Sequence, residues 1–279
     1  MTVLALRGSG PAAYPSRPHS GPDRPYAAVL ADLPAVGLDV LAEHAERMTR
    51  VDRKYLVPES ALDRVIDAVC EDAVALDIDD RRTFGYVSTY YDTADRRSYH
   101  DGGRSRRRRF KVRTRCYVDS GLAFLEVKTR GPRGTTVKTR TELTRLPGPE
   151  LNEGSLAFVD STLRAHGVTD VSVEGLCPVL EVDYRRSTLA FLSVGARATV
   201  DTDLCWRGLD GRPVRLPGVA ILETKAGSTP TGVDRALWRL GHRPARLSKY
   251  GAGLAVTDAS LPHLKWHRIL TDPLLAVAG

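Results

Sequence analysis

Aromatic residues are scarce in this chain: Phe, Trp and Tyr together make up 6% of its 279 residues. That scarcity weighs against a nucleic-acid platform, which needs rings on which successive bases can stack. Cysteine is scarce too. Cys70, Cys116, Cys177 and Cys205 lie far apart with no C-x-x-C pair, which argues against a structural zinc site and a disulfide-dense secreted module. They read as small core hydrophobes in a reducing compartment. No apolar run approaches the length of a membrane helix, and the N-terminus lacks the apolar core of a signal peptide. The expectation is a cytoplasmic protein with no membrane span. The histidines, including His44, His100, His242, His263 and His267, show no metal-ligand spacing. No Ser/His/Asp or Cys/His set is evident, and nothing in the sequence bears on oligomeric state.

Positive charge is plentiful. The formal net charge is +7 and the pI about 9.4, which suits an anionic partner without choosing among nucleic acid, membrane and phosphorylated metabolite. Residues 1–45 begin with a Gly-, Pro-, Ser- and Arg-rich stretch and read as a disordered N-terminal tail. A folded domain is expected over 46–260, followed by a C-terminal tail over 261–279. Leu62, Val65, Ile66, Val69 and Cys70 fall on one face of a helix after Pro58. Weaker helical patterns cover 155–166, 231–241 and 247–258. Most of the remainder alternates with period two, over 47–57, 84–91, 107–118, 122–130, 135–146, 178–190, 196–203 and 218–226. Turn chemistry at Asp119-Ser120-Gly121, 131–134 and Asp210-Gly211 separates several of these segments, and such short connections join antiparallel neighbours.

Splitting each strand into its two faces brings out recurring charged rows. Lys111, Arg113 and Arg115 share one face, as do Glu126, Lys128 and Arg130, and Lys138, Arg140 and Glu142. Glu181, Asp183 and Arg185 alternate with Leu180, Val182 and Tyr184; Thr199, Asp201 and Asp203 form an acidic row; Glu223 and Lys225 close the series. The first strand offers Arg50, Asp52 and Lys54. One such row is commonly a wet sheet face. So many rows this rich in Arg and Lys point instead to a held polyanion, a phosphate chain above all. If the sheet closes, like charges ~4 Å apart repel by about 4 kcal/mol at an effective dielectric near 20. Carboxylates, water and a bound polyanion must offset that. Glu126, Glu142, Glu181 and Glu223 supply part of it, and as hard oxygen ligands they suit Mg²⁺ or Mn²⁺.

Arg53-Lys54-Tyr55, the segments 88–93, 109–115 and 124–128, and Ser248-Lys249-Tyr250 resemble, in order, signature segments of the VTC-type polyphosphate polymerase domain. That domain belongs to the triphosphate tunnel metalloenzyme (CYTH-like) superfamily, and the resemblance runs from about 47 to 256. It implies an α+β fold: an eight-stranded antiparallel β-barrel tunnel flanked by helices. The implied activity is transfer of the ATP γ-phosphate onto inorganic polyphosphate, with Mn²⁺ or Mg²⁺. By position, Lys54, Arg113, Arg115 and Lys128 resemble the central catalytic and phosphate-binding residues. Lys138, Arg185, Lys225, Arg246 and Lys249 resemble further phosphate-binding residues, and Glu223 the metal ligand. Between Arg185 and Arg186, strict alternation favours Arg185. Where many tunnel enzymes have Glu-x-Glu-x-Lys, this chain has Arg50, Asp52 and Lys54, a more basic row that suits chain binding better than a two-metal triphosphatase. A tunnel triphosphatase or nucleotidyl cyclase, and a non-catalytic polyphosphate or nucleotide binder, stand as the alternatives. The run 104–109, almost entirely arginine, reads as a tunnel mouth rather than a nucleic-acid site, because it feeds directly into a charged strand.

Overall fold

Alternation of apolar and polar side chains, punctuated by turns, specifies strands with two distinct faces. The computed structural model describes residues 25–45, 51–131, 135–144 and 150–276, and strands dominate it. They are β1 (Ala35–Val36), β2 (Val51–Pro58), β3 (Val74–Leu76), β4 (Phe84–Asp92), β5 (Phe110–Tyr117) and β6 (Ala123–Arg130). After these come β7 (Thr136–Leu143), β8 (Cys177–Phe191), β9 (Ala196–Arg207), β10 (Pro213–Arg215) and β11 (Val219–Ala226). Eight of them form one antiparallel path, β2-β11-β9-β8-β4-β5-β6-β7. The fold is α+β, as expected, and the eight long strands fall where the alternation placed them. Among the described residues no ladder joins β7 back to β2.

The path is nonetheless curled into a tunnel. Lys111 on β5 is acted on by the charge of Lys54 on β2, and Lys128 on β6 by Glu223 on β11, with β9, β8, β4 and β5 lying between the latter two strands. Helices cover the outside. Leu30 of α1 (Pro25–Asp32), Leu62 and Ile66 of α3 (Leu62–Asp67), and Val233 and Leu237 of α6 (Gly232–Arg239) bury the outer face of β2, β11 and β9. Val159 and Leu163 of α5 (Glu153–Ala165) cover Val112, Leu125 and Val127 of β5 and β6. Inside the curl, Tyr250 and Leu254 of α7 (Lys249–Thr257) pack on Leu56, Val182, Tyr184, Leu204, Trp206 and Ile221. That apolar half of the inner face leaves the charged half to the lumen.

Two expectations need correction. Residues 25–45 carry α1, β1 and α2 (Leu38–Ala45), with Tyr26, Leu30 and Leu33 buried. The i, i+4, i+7 spacing of those three residues outweighs the Pro/Gly-rich composition just before them; residues 1–24 of the expected tail lie outside the described residues. The segment expected as a C-terminal tail also packs: Trp266, in a 3-10 turn over Leu264–Trp266, and Ile269 of α8 (His267–Leu270) lie against α7, and α9 (Pro273–Ala276) brings Leu275 to the same core beside α8 and β2. No described helix is long and apolar enough to cross a membrane.

Candidate functional site: a basic tunnel

The site is built by strand register. Lys111, Arg113 and Arg115 stand opposite Lys128, Glu126 and Phe124, and these in turn stand opposite Lys138, Arg140 and Glu142. Lys54 stands opposite Glu223 on β11. Three inner carboxylates each sit between two cations. Glu126 accepts from Arg113 at 2.7 and 2.5 Å and pairs with Lys138 at 2.6 Å. Glu223 pairs with Lys54 at 2.8 Å and Lys225 at 3.2 Å. Asp201 pairs with Arg186 at 2.5 Å and with Lys249. Burial alone would raise all three carboxyls. The flanking cations outweigh it, holding Asp201 down at about 2 and Glu126 and Glu223 well below the usual carboxylate range.

Cations remain after those pairings. Arg115 donates to the Tyr184 hydroxyl at 3.0 Å and leans toward Ser88, and pairs with no carboxylate among the described residues. Lys111 donates to Ser248 at 2.9 Å. Burial, then repulsion from Lys54, Lys265, Arg113 and Arg109, brings its ammonium down to about 7. Repulsion from Arg113, burial and repulsion from Arg115 hold Lys128 well below an ordinary lysine. Lys225 falls to about 8, chiefly through burial, even beside Glu223. Aromatic rings line the same face and shield these charges from water. Arg186 lies over Tyr86 and Tyr184 at 5.3 and 5.2 Å, Lys249 over Tyr184 at 4.7 Å, and Arg113 over Tyr90 at 5.7 Å. The Tyr184 phenol is lowered despite burial, because Arg115 and Arg186 face it.

Of the residues picked from sequence, Lys54, Arg113, Arg115, Lys128, Lys138, Glu223, Lys225 and Lys249 gather on this inner surface. Arg246 lies outside it, exposed ahead of α7, where its charge reaches Lys265. Arg185 is a correction. It shares the outer face of β8 with Asp183 and Glu181, which pair with Arg207, and Arg186 takes the inner place. Charge parity misleads on β8 because α7 covers its inner face, so the apolar residues Val182 and Tyr184 point inward there. Continuing their alternation by one step would have found Arg186. Asp203 is displaced by a bulge, with a positive φ of 54°, so the acidic row ends at Asp201. Arg50 lies outside the described residues.

The donor set does not make a metal centre by itself. Both oxygens of Glu223 are taken by lysines, and the described residues contain no group of three His, Cys, Asp or Glu able to hold an ion. A divalent ion here would draw its other ligands from phosphate oxygens.

A curled antiparallel sheet with surplus lysine and arginine inside defines a tunnel-type, phosphate-handling protein. The chain belongs to the VTC domain family, whose sequence model matches residues 49–258. No curated protein matches it. Among solved structures, it is similar to a candidate adenylate cyclase of Bacillus halodurans at 14% identity and a TM-score of 0.43, covering 69% of this chain and 89% of that one. It is also similar to a candidate adenylyl cyclase of Hippeastrum described as having a dominant triphosphatase activity, at 15% identity and a TM-score of 0.43, covering 77% and 99%. Likenesses this distant carry no argument about activity.

Proposed function

We propose that this protein is an ATP-dependent polyphosphate polymerase. The donor enters as ATP with its Mg²⁺ or Mn²⁺, and a terminal oxygen of the polyphosphate chain attacks the γ-phosphorus. The bond to the bridging oxygen breaks, ADP leaves with the electron pair, and the chain is one phosphate longer. Such a transfer needs alignment and neutralisation more than covalent help. The observation that carries the reading is the cation surplus: with Glu126, Asp201 and Glu223 each already paired with two cations, Lys111, Arg115 and Lys128 of the inner face form no ion pair among the described residues.

Arg113, held by Glu126, and Arg115, held by Tyr184, present planar forks to phosphate oxygens. Lys54, Lys128, Lys138, Lys225 and Lys249 supply mobile point charges along the chain, and Arg186 takes the place sequence gave to Arg185. Glu223 keeps Lys54 and Lys225 apart and aimed.

The test is incubation of the full chain with ATP and Mn²⁺, following long-chain polyphosphate, free phosphate and cyclic nucleotide together. Polymer accompanied by equimolar ADP is expected. Free phosphate or cyclic nucleotide without polymer overturns the reading in favour of a triphosphatase or cyclase. Binding without turnover leaves a polyphosphate-binding protein.

A further inference from the structure

The segment between α4 (Arg97–Gly103) and β5 carries Arg104, Arg106, Arg107 and Arg108 exposed, and ends in the half-buried Arg109. It is held in shape. Ser105 turns it with a φ of 57°, the Arg106 amide donates to the Asp101 carbonyl at 2.9 Å, and Arg109 braces the carbonyls of Ser105 and Arg106 at 3.3 and 2.8 Å. Lys265 donates to the Gly102 carbonyl from the C-terminal side. The nearby carboxylates are already engaged, since Asp101 and Asp170 both pair with Arg97 at 2.7 Å.

This run is continuous with the interior. The charges of Arg109 and Lys265 act on Lys111, the first inner lysine of β5, and those of Arg130 and Arg246 act on Lys265. The Tyr99 and Trp266 rings beside it are buried in the core, with Lys265 over the Trp266 ring at 5.5 Å, and the exposed His263 and His267 rings stack on each other. At the other end of the sheet, the inner face at Phe84 and Ala190 is covered by Val36, Leu41 and Leu76.

We propose that the pinned arginine run 104–109, with Arg130, Arg246 and Lys265, is an external track that holds the part of a polyphosphate chain extending beyond the tunnel. This rests on the polyphosphate reading above and adds where the chain leaves. Polyphosphate and nucleic acid each carry a charge per unit, but polyphosphate spaces its charges more closely and has no base to stack, which matches clustered guanidinium groups whose neighbouring Tyr99 and Trp266 rings are buried.

The experiment compares binding of tripolyphosphate, long-chain polyphosphate and a single-stranded oligonucleotide by calorimetry. The full chain is set beside a triple variant, Arg106→Gln, Arg107→Gln, Arg108→Gln. A control variant removes as many charges from the outer helices, at Arg64, Arg235 and Arg239. The track predicts that the mouth variant loses at least about tenfold in affinity for the long chain, with a salt slope shallower by about 2, and changes tripolyphosphate binding by less than about twofold. The control should keep its long-chain affinity. Equal losses for both phosphate lengths, no loss, or an equal loss in the control would overturn the track. So would an oligonucleotide bound as tightly as polyphosphate and lost in parallel. Because binding needs no ATP, a protein that makes no polymer yet shows the length dependence keeps the track and loses the polymerase assignment. Polymer made, with long-chain binding indifferent to the variant, does the reverse.

Discussion

Strands β2 and β11 carry two charged clusters one residue apart, on opposite faces, and the clusters are built on opposite principles. On the outer face, Asp234 accepts from the Tyr55 and Thr224 hydroxyls at 2.6 and 2.7 Å and from Thr231 at 2.7 and 2.9 Å. The Trp238 ring nitrogen donates to the Tyr55 oxygen at 3.1 Å. Every oxygen of that carboxylate has partners, and the cluster fastens α6 to the sheet. On the inner face, Lys54, Glu223 and Lys225 put two ammonium groups on one carboxylate, and Lys128 across the lumen adds a third nearby positive charge. A saturated cluster stabilises the fold by itself; an unbalanced one stores repulsion that a bound anion relieves.

The largest expected effect belongs to the saturated cluster. Asp234→Ala leaves four buried donor contacts without an acceptor, and we expect a stability loss of about 3–5 kcal/mol in denaturant unfolding. Tripolyphosphate affinity of the folded fraction should be unchanged. The unbalanced cluster should respond in the opposite way. Lys128→Met removes a buried cation on which repulsion from Arg113 and Arg115 outweighs attraction by Glu126 and Glu223, so the ligand-free protein should gain about 1 kcal/mol while tripolyphosphate binding weakens about tenfold. A loss of stability in that variant would place Lys128 among the structural residues. Glu223→Gln should leave the chain folded and abolish polymer formation, since Lys54 and Lys225 lose the group that holds them apart; full activity would remove Glu223 from the machinery.

The smallest effect is a pH dependence with two linked signs. Lys111 and Lys225 give up protons at about 7 and about 8 in the folded protein, against 10.5 for an unperturbed lysine. The unfolded chain therefore binds more protons across roughly pH 7–10, and these two groups make the ligand-free protein more stable as pH rises through that window. A bound polyanion restores the protons, so affinity should fall over the same range. Unfolding and binding curves measured at matched pH check both signs.

The strands were legible because alternation of charge with Val, Leu and Thr survives wherever one face is packed and the other carries charge, as on β5, β6 and β7. The same pattern located Lys54, Arg113, Arg115, Lys128 and Lys138. It failed on β8, where α7 fills the inside of the curl and makes the apolar parity the inner one; the helical pattern over 247–258 marks the helix, but no local signal reports that it packs inside the sheet. The carboxylate pairings were also hidden. Arg186 and Asp201 meet because β8 and β9 pair in a bulged register, and Lys249 reaches Asp201 from nearly fifty residues away in sequence. Helix α4 escaped notice because its sequence is polar and glycine-rich. It is held instead by Asp92, which accepts from the Ser98 and Tyr99 amides at 2.8 and 3.0 Å.

The central claim is that the inner lysines are short of negative charge until a phosphate chain arrives. Calorimetric titration of the full chain with tripolyphosphate at pH 8, repeated in two buffers of different ionisation enthalpy, tests it directly. The claim predicts net proton uptake on binding, reduced in a Lys111→Met variant. Binding with no proton uptake, or uptake that Lys111→Met leaves untouched, would contradict it.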